Sequence, residues 1–393
     1  MCAIGIDVAS EAHTVAIVNE ASEVLLTPTE FTEDAEGYRK LLQLLGEPKD
    51  CLVAMEATGH YWQNLFAALA AAGFPIALLN PLRTRRFSEV DLERTKTDAI
   101  DAVGIARFAA QKHPPATRLT DSATQDLREL VRLRDRLVQD FTDRKNQLHR
   151  LVDLGFPEFT RYVKTLASEL ATAILHAYPT AAAFPATPRQ LSKLRYDGTH
   201  KFGAELAHAL VEAAKVSVGR HHGEPYRLQV RYACEDLDVL RRRLRDLERD
   251  IEQTLKTHEV GTLLTTIDGI GPQTAARLIA ELGDPASFRD GAALASYVGV
   301  VPGLKHSGKR KPKRAGISPI GHARLRRSLW MPVLTAVHKN PWLRAFYQRL
   351  RSDGKLPKVA LIAAMRKLLH AVHSVAKSRR PFVPILATAE VAP

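Results

Sequence analysis

Two stretches of this chain read as helices too long to be enclosed by one small core. In residues 122–153, Leu127, Leu130, Leu137, Phe141, Leu148 and Leu151 recur near a 3.5-residue spacing between charged positions. In residues 226–257, Leu237, Leu240, Leu244, Leu247, Ile251 and Leu255 form a second stripe. At 1.5 Å per residue each predicts a rod about 48 Å long. Such rods pair as a coiled coil or join a bundle, and spacing alone does not separate the two. They divide the 393 residues into several parts, as expected for a chain too long for a single core.

Ahead of the rods, apolar runs predict strands at 2–7, 13–18, near 23–27, 51–55 and 75–79, with helices at 61–72 and 96–110. Strands alternating with helices indicate an α/β domain, and the opening hairpin indicates a mixed sheet. Between the rods, residues 155–225 are rich in Ala, Pro and Gly and predict short helical pieces without evident chemistry. Beyond them, 261–299 starts a compact helical unit, followed by a loop at 302–321 and helices near 322–338 and 357–377. The expected domains are 1–120, 121–258 with a helical insertion at 155–225, and 259–393. No internal repeat is evident. Cys2, Cys51 and Cys234 are too few and too scattered for a disulfide framework or a zinc signature, and fit a reducing compartment. The apolar stretch Leu65 to Leu79 is broken by Gly73 and Pro75 and is too short to span a bilayer. The first residues have no basic region and carry Asp7 in their apolar run, unlike a signal peptide.

Charge is distributed unevenly. Residues 1–110 hold 9 Lys and Arg against 16 Asp and Glu, a net of −7. Residues 111–299 are near balance, at +2. Residues 300–393 hold 20 against 2, a net of +18. A polycation of this density predicts a polyanionic partner, nucleic acid being the commonest. A mere solubility tail would lack the Trp330, Trp342, Phe346 and Leu368 found here.

Three constellations carry chemistry. Asp7 ends the first strand, Glu56 follows another in MEATG, and Asp98 and Asp101 share one helix face in KTDAID. Singly, each reads as a cap, a turn or a solvated face. Together they would make an oxygen-rich site for a hard divalent cation such as Mg²⁺, suited to phosphodiester chemistry. The order D…E…DxxD on a domain that opens with a β-hairpin is the layout of the RNase H-like nuclease fold. Second, IDGIGPQTA places Gly269 and Gly271 between two apolar helical patterns. This reads as a helix-hairpin-helix whose backbone N–H groups face a phosphate, or as a plain αα-hairpin. Third, Ser307 lies between His306 and Gly308 in a run containing Lys305, Lys309, Arg310, Lys311, Lys313 and Arg314, with Arg324, Arg326 and Arg327 further on. That serine is a phosphate contact, a loop cap or a nucleophile, and composition alone favours the first two. His306 as its base is disfavoured, because adjacent side chains on an extended segment point apart.

GIDVAS, MEATGHYW, NPLRTRRF and KTDAIDA resemble the N-terminal DEDD (RuvC-like) domain of one transposase family. LASYVGVVPGLKHSGKR and ISPIGHARLRRSLW resemble that family's C-terminal domain. The family is the bridge-RNA-guided serine recombinases of bacterial insertion sequences, the IS-one-ten family. The resemblance spans about residues 2–150 and 225–382. It implies an α/β RNase H-like domain, a helical coiled-coil middle and a mostly α C-terminal domain with a helix-hairpin-helix. It also implies Asp7, Glu56, Asp98 and Asp101 as Mg²⁺ ligands, and Ser307 as a nucleophile forming a transient 5′-phosphoserine link to DNA. Donor and target DNA, a bridge RNA and a homo-oligomer (dimer or tetramer) with sites composed across protomers are the implied partners. No membrane is implied, and the expected location is the bacterial cytoplasm, at the nucleoid. A RuvC-like nuclease or resolvase, using the acids alone, and a non-catalytic nucleic-acid scaffold are the competing expectations.

Overall fold

The protein is described here by a computed structural model covering residues 2–90, 97–117, 121–196, 200–201, 203–305, 313–317 and 320–384. It divides into two compact units, Met1–Leu119 and Thr120–Pro393.

The first unit is built on strands β1 (Cys2–Asp7), β2 (Ala12–Val18), β3 (Val24–Thr32), β4 (Cys51–Glu56) and β5 (Ile76–Leu79). They form one mixed sheet in the order β3-β2-β1-β4-β5. β1 and β2 pair antiparallel, as do β2 and β3, whereas β1, β4 and β5 run parallel. The near-continuous apolar runs of β1 and β4 reflect burial on both faces. One face packs Ile4, Ile6, Val53 and Met55 beneath helices α1 (Ala35–Leu45) and α2 (Trp62–Ala71). After β5 comes α3 (Pro81–Val90), then α4 (Asp98–Lys112), whose Ile105, Ala106 and Ala109 cover Ala3 and Ala54 on the other face.

α4 lies directly on the backbone of β1. A Cβ built on Gly5 would stand 2.2 Å from the Ala102 carbonyl oxygen and 2.3 Å from the Ala106 nitrogen. Only glycine permits this approach. α1, capped by the Asp34 carboxylate on the N–H groups of Glu36 and Gly37, and α3 have no counterpart in the sequence reading.

In the second unit, the predicted rods are α5 (Ser122–Gly155) and α10 (Glu224–Lys256). They pair antiparallel: Leu127 and Val131 share a core with Leu247, Ile251 and Leu255, and Leu148 and Leu151 share one with Val230 and Leu237. Arg134 reaches Glu248 at 2.5 Å and Arg144 reaches Asp236 at 2.9 Å along the seam. Between the rods lie α6 (Phe159–Tyr162), α7 (Glu169–Ala177), α8 (Pro188–Leu191), strands β6 (Arg195–Tyr196) and β7 (His200–Lys201), and α9 (Ala204–Lys215). They close over Phe156 and Phe159 at one end of the pair.

The other end carries α11 (Glu259–Leu264), α12 (Pro272–Leu282), α13 (Gly291–Val298), strands β8 (Pro302–Lys305) and β9 (Lys313–Ile317), α14 (Ala323–Ser328), α15 (Trp330–Lys339), α16 (Pro341–Ser352) and α17 (Pro357–Ser378). The segment read as a loop, 302–321, thus contains a two-stranded antiparallel hairpin. The helix read at 322–338 is two helices parted at Leu329, and α16 has no counterpart in the sequence reading. α17 is long and apolar enough to cross a membrane, but 61% of its apolar window is buried in the protein, as in a core helix.

Gly5→Ala should unseat α4 at a cost of about 3 kcal/mol, the upper range for overpacking against backbone that has no room to move. Hydrogen exchange should then lose protection in peptides covering residues 2–7 and 98–112. Unchanged protection there would contradict the close seat.

Candidate functional site

The sheet brings the two strand acids side by side. Asp7 and Glu56 each lie one residue beyond the Ile6–Met55 pair, at the carboxyl ends of adjacent parallel strands. Asp7 shares a strand face with Gly5, on which α4 rests. The direction of α4 follows from its far end, where Gln111 Nε2 donates to Ser22 Oγ at 3.4 Å. Ser22 lies in the β2–β3 turn, just past the Val18 partner of Ala3. α4 therefore runs antiparallel to β1, and its N-terminus lies at the Asp7 end. Asp98, four residues before Ala102, is displaced along the helix by about 6 Å. Asp7, two residues beyond Gly5, is displaced along the strand by about 6.6 Å in the same direction. Asp98 and Asp101 occupy the first turn, where the helix dipole favours carboxylates, and Thr97 caps it through the Ile100 N–H at 3.3 Å. All four predicted acids thus gather at one end of the sheet.

They are not equally enclosed. Asp98 is exposed, and Asp7, Glu56 and Asp101 are half-buried. Among the described residues, no three His, Cys, Asp or Glu side chains stand close enough as they lie to hold one metal ion. The donor set is nevertheless all carboxylate oxygen, which suits a hard divalent cation. Glu56 is already oriented, because the Thr84 hydroxyl of α3 donates to its Oε1 and Thr58 Oγ1 lies 3.5 Å from its Oε2. Sequence reasoning missed Thr84, whose only signal is a small polar residue amid the arginines of NPLRTRRF.

The third constellation lies on β8, β9 and the segments that flank them. Ser307, Lys309, Arg310 and Lys311 lie outside the described residues. They belong to the connection between β8, which carries Lys305, and β9, which carries Lys313 and Arg314. The base of this hairpin is tightly pinched. Gly299 and Gly321 both have positive φ, at 82° and 128°, and a Cβ on Gly321 would stand 2.5 Å from the Gly299 Cα. The His322 N–H donates to the Tyr297 carbonyl at 3.0 Å. Arg326 donates to the Val298 and Gly299 carbonyls at 3.2 and 3.4 Å. Arg324 donates to Asp135 of α5 at 2.6 Å, and Asp135 also accepts from Arg277 of α12 at 2.7 Å. His322 Nε2 lies 3.1 Å from Glu281 Oε2. Of the three arginines of α14 read as nucleic-acid contacts, Arg324 and Arg326 are engaged within the protein, while Arg327 is exposed.

In the GIG turn, Gly269 has φ of 100°, and a Cβ there would meet Ala336 of α15 at 2.4 Å. That glycine is explained by packing and backbone geometry. Gly271 is exposed at the start of α12, with open space around it.

A family model described as transposase, of the DEDD type of IS110, matches residues 4–157. A second, described as transposase IS116/IS110/IS902 family, matches residues 261–348. The chain belongs to this transposase family. Several relatives align over nearly their whole lengths. The pilin gene-inverting protein of Moraxella bovis is 25% identical over 96% of this chain and 97% of its own. The mini-circle putative transposase for IS117 of Streptomyces coelicolor is 28% identical over 98% and 97%. The 44.8 kDa protein of insertion element IS116 of Streptomyces clavuligerus is 26% identical over 97% and 96%. The first model covers all four acids of the transposase, and the second covers the pinched hairpin with Ser307. DNA is therefore its partner.

Two outcomes test the anchorage of this hairpin. Burial pushes the Asp135 carboxyl up, but Arg277 and Arg324 outweigh it and hold it below the ordinary carboxylate range. A carboxylate with a lowered folded pKa contributes stability above about pH 4 and loses it as pH falls through the folded value. Asp135→Asn should lower stability at pH 7 by about 1–2 kcal/mol for this partly buried pairing with two arginines and flatten the decline below pH 4 in thermal melts. An equally steep acid decline in the variant would contradict the pairing. Arg326→Ala should raise proteolytic cutting within 300–321, and unchanged cutting would contradict its role at the hairpin base.

Proposed function

We propose that this transposase moves an insertion sequence by RNA-guided recombination, with Ser307 as nucleophile and an acidic site of Asp7, Glu56, Asp98 and Asp101. The observation that carries the reading is the gathering of those four acids at one sheet end. The strand order and antiparallel β2 support an RNase H-like assignment for this unit. Asp7, Glu56, Asp98 and Asp101 would hold a divalent cation, Mg²⁺ in this reading. Such a cation supplies charge stabilisation at a phosphodiester undergoing displacement.

The protein's own groups do the rest. The Ser307 hydroxyl oxygen attacks phosphorus, its proton passes to base, and the 3′-oxygen of DNA leaves as a hydroxyl. The result is a 5′-phosphoserine link. A second 3′-hydroxyl then attacks that phosphorus and releases the serine. One phosphoester bond forms for each one broken, so no external energy source is needed. Lys305, Lys309, Arg310, Lys311, Lys313, Arg314 and Arg327 supply cations near the developing phosphorane charge. Gly271 at the start of α12 offers backbone to a phosphate within a helix-hairpin-helix. The +18 of residues 300–393 draws DNA and a bridge RNA to this part of the chain. Catalysis across protomers of a homo-oligomer completes the reading.

The test is end-labelled DNA incubated with the transposase, bridge RNA and Mg²⁺. The wild type should give a protein–DNA adduct that survives SDS, and both Ser307→Ala and Asp98→Asn should abolish recombination. Loss of one ordinary hydrogen bond would cost about 1 kcal/mol, or less than tenfold. Recombination by Ser307→Ala within tenfold of wild type would therefore reject the nucleophile, and free cleaved ends without adduct would indicate hydrolysis by the acids alone.

A further inference from the structure

Glu56 is held from a helix whose first residues are mostly exposed. Of residues 81–86 in α3, only Thr84 is buried, at 5% exposure. Its hydroxyl donates to Glu56 Oε1, with the Pro81 carbonyl of its own helix 3.0 Å away. One turn on, Phe87 meets Phe108 of α4 edge-on, with ring centroids 5.4 Å apart. The Arg83 guanidinium lies 5.4 Å from the same Phe108 ring. α3 is thus fastened at two points, to the acid that ends β4 and to the helix that bears Asp98 and Asp101.

We propose that Thr84 is a positioning residue that sets the Glu56 carboxylate to receive a divalent cation. The inference rests on the reading of Glu56 as a metal-binding acid. Packing alone does not account for a threonine here. Alanine or valine would fill an inward position without bringing a hydroxyl that must find a partner once buried. Besides the Pro81 carbonyl of its own helix, the partner it finds is a carboxylate, and that bond fixes one rotamer of an otherwise mobile side chain. A carboxylate has about four lone-pair sites. Thr84 occupies one on Oε1, Thr58 approaches another on Oε2 at 3.5 Å, and the rest are left for an ion. An acid held in place loses less conformational freedom on binding than a free one. If Thr84 merely fastened α3, its loss would lower the melting temperature and leave metal affinity unchanged.

The experiment titrates Mn²⁺ into the full-length transposase and reads the electron paramagnetic resonance signal of the free ion. Wild type, Thr84→Ser, Thr84→Val, Thr84→Ala and Glu56→Gln are compared, each with a thermal melt. Loss of an outer hydrogen-bond partner of a metal ligand typically weakens binding about 10- to 100-fold. Thr84→Val should weaken Mn²⁺ binding by about tenfold or more, and Thr84→Ala should repeat that loss should Thr84→Val not fold. Thr84→Ser should stay within about threefold of wild type, and Glu56→Gln should lose at least as much as Thr84→Val. Wild-type affinity in both Thr84→Val and Thr84→Ala, with Glu56→Gln weakened, would overturn the role of Thr84 and leave the acid reading standing. Wild-type affinity in Glu56→Gln would overturn the acid reading and this inference together.

Discussion

The first unit is organised around the contact between the Gly5 backbone and the Ala102–Ala106 turn. A helix resting on a strand through an ordinary side chain stands off by the width of that side chain. Here the separation is set by backbone atoms alone. α4 is therefore fixed in height and in position along β1, and its first turn falls beside the end of that strand. Asp7 and Glu56 come from adjacent strands whose register is hydrogen-bonded, so their spacing is equally determined. Acids that would repel one another are brought together by a sheet and a helix that have no freedom to separate them.

A different device serves the second unit. The hairpin formed by β8 and β9 is held at its base. Two glycines with positive φ let the entering and leaving strands touch, and Arg326 joins them through carbonyls. The pairing of Asp135 with Arg277 and Arg324 ties the exit segment to α5 and α12. Charge that composition assigned to nucleic acid is thus partly taken up in anchoring the hairpin. The cations left over include Arg327, which is exposed.

Most of the first unit was legible because burial on both sheet faces leaves unbroken apolar runs, as in CAIGID and CLVAME. The rods were legible because a leucine stripe sustained over nine turns arises in little but a long helix packed along one side. α3 was not, since its inward face shows little more than Thr84 and Phe87 among arginines. The hairpin at 302–317 was not, because PGLK and KRAGI lack the alternation of a half-buried strand. The acids were legible as residues and as an order along the chain. Their convergence required the register of β1 with β4 and the direction of α4. The internal partners of Arg324 and Arg326 were not legible for a related reason: an arginine's partner is set by tertiary neighbours, and no local spacing reveals Asp135 or the Gly299 carbonyl.

If the carboxyl ends of β1 and β4, with the first turn of α4, form a divalent-cation site, the ion itself should be visible there. Anomalous diffraction at the manganese edge, from crystals of the transposase grown with Mn²⁺, would locate it. A peak is expected about 2.1 Å from carboxylate oxygens of Asp7 and of at least one of Glu56, Asp98 and Asp101. Manganese bound only elsewhere, with these four carboxylates bare, would overturn the metal-site reading.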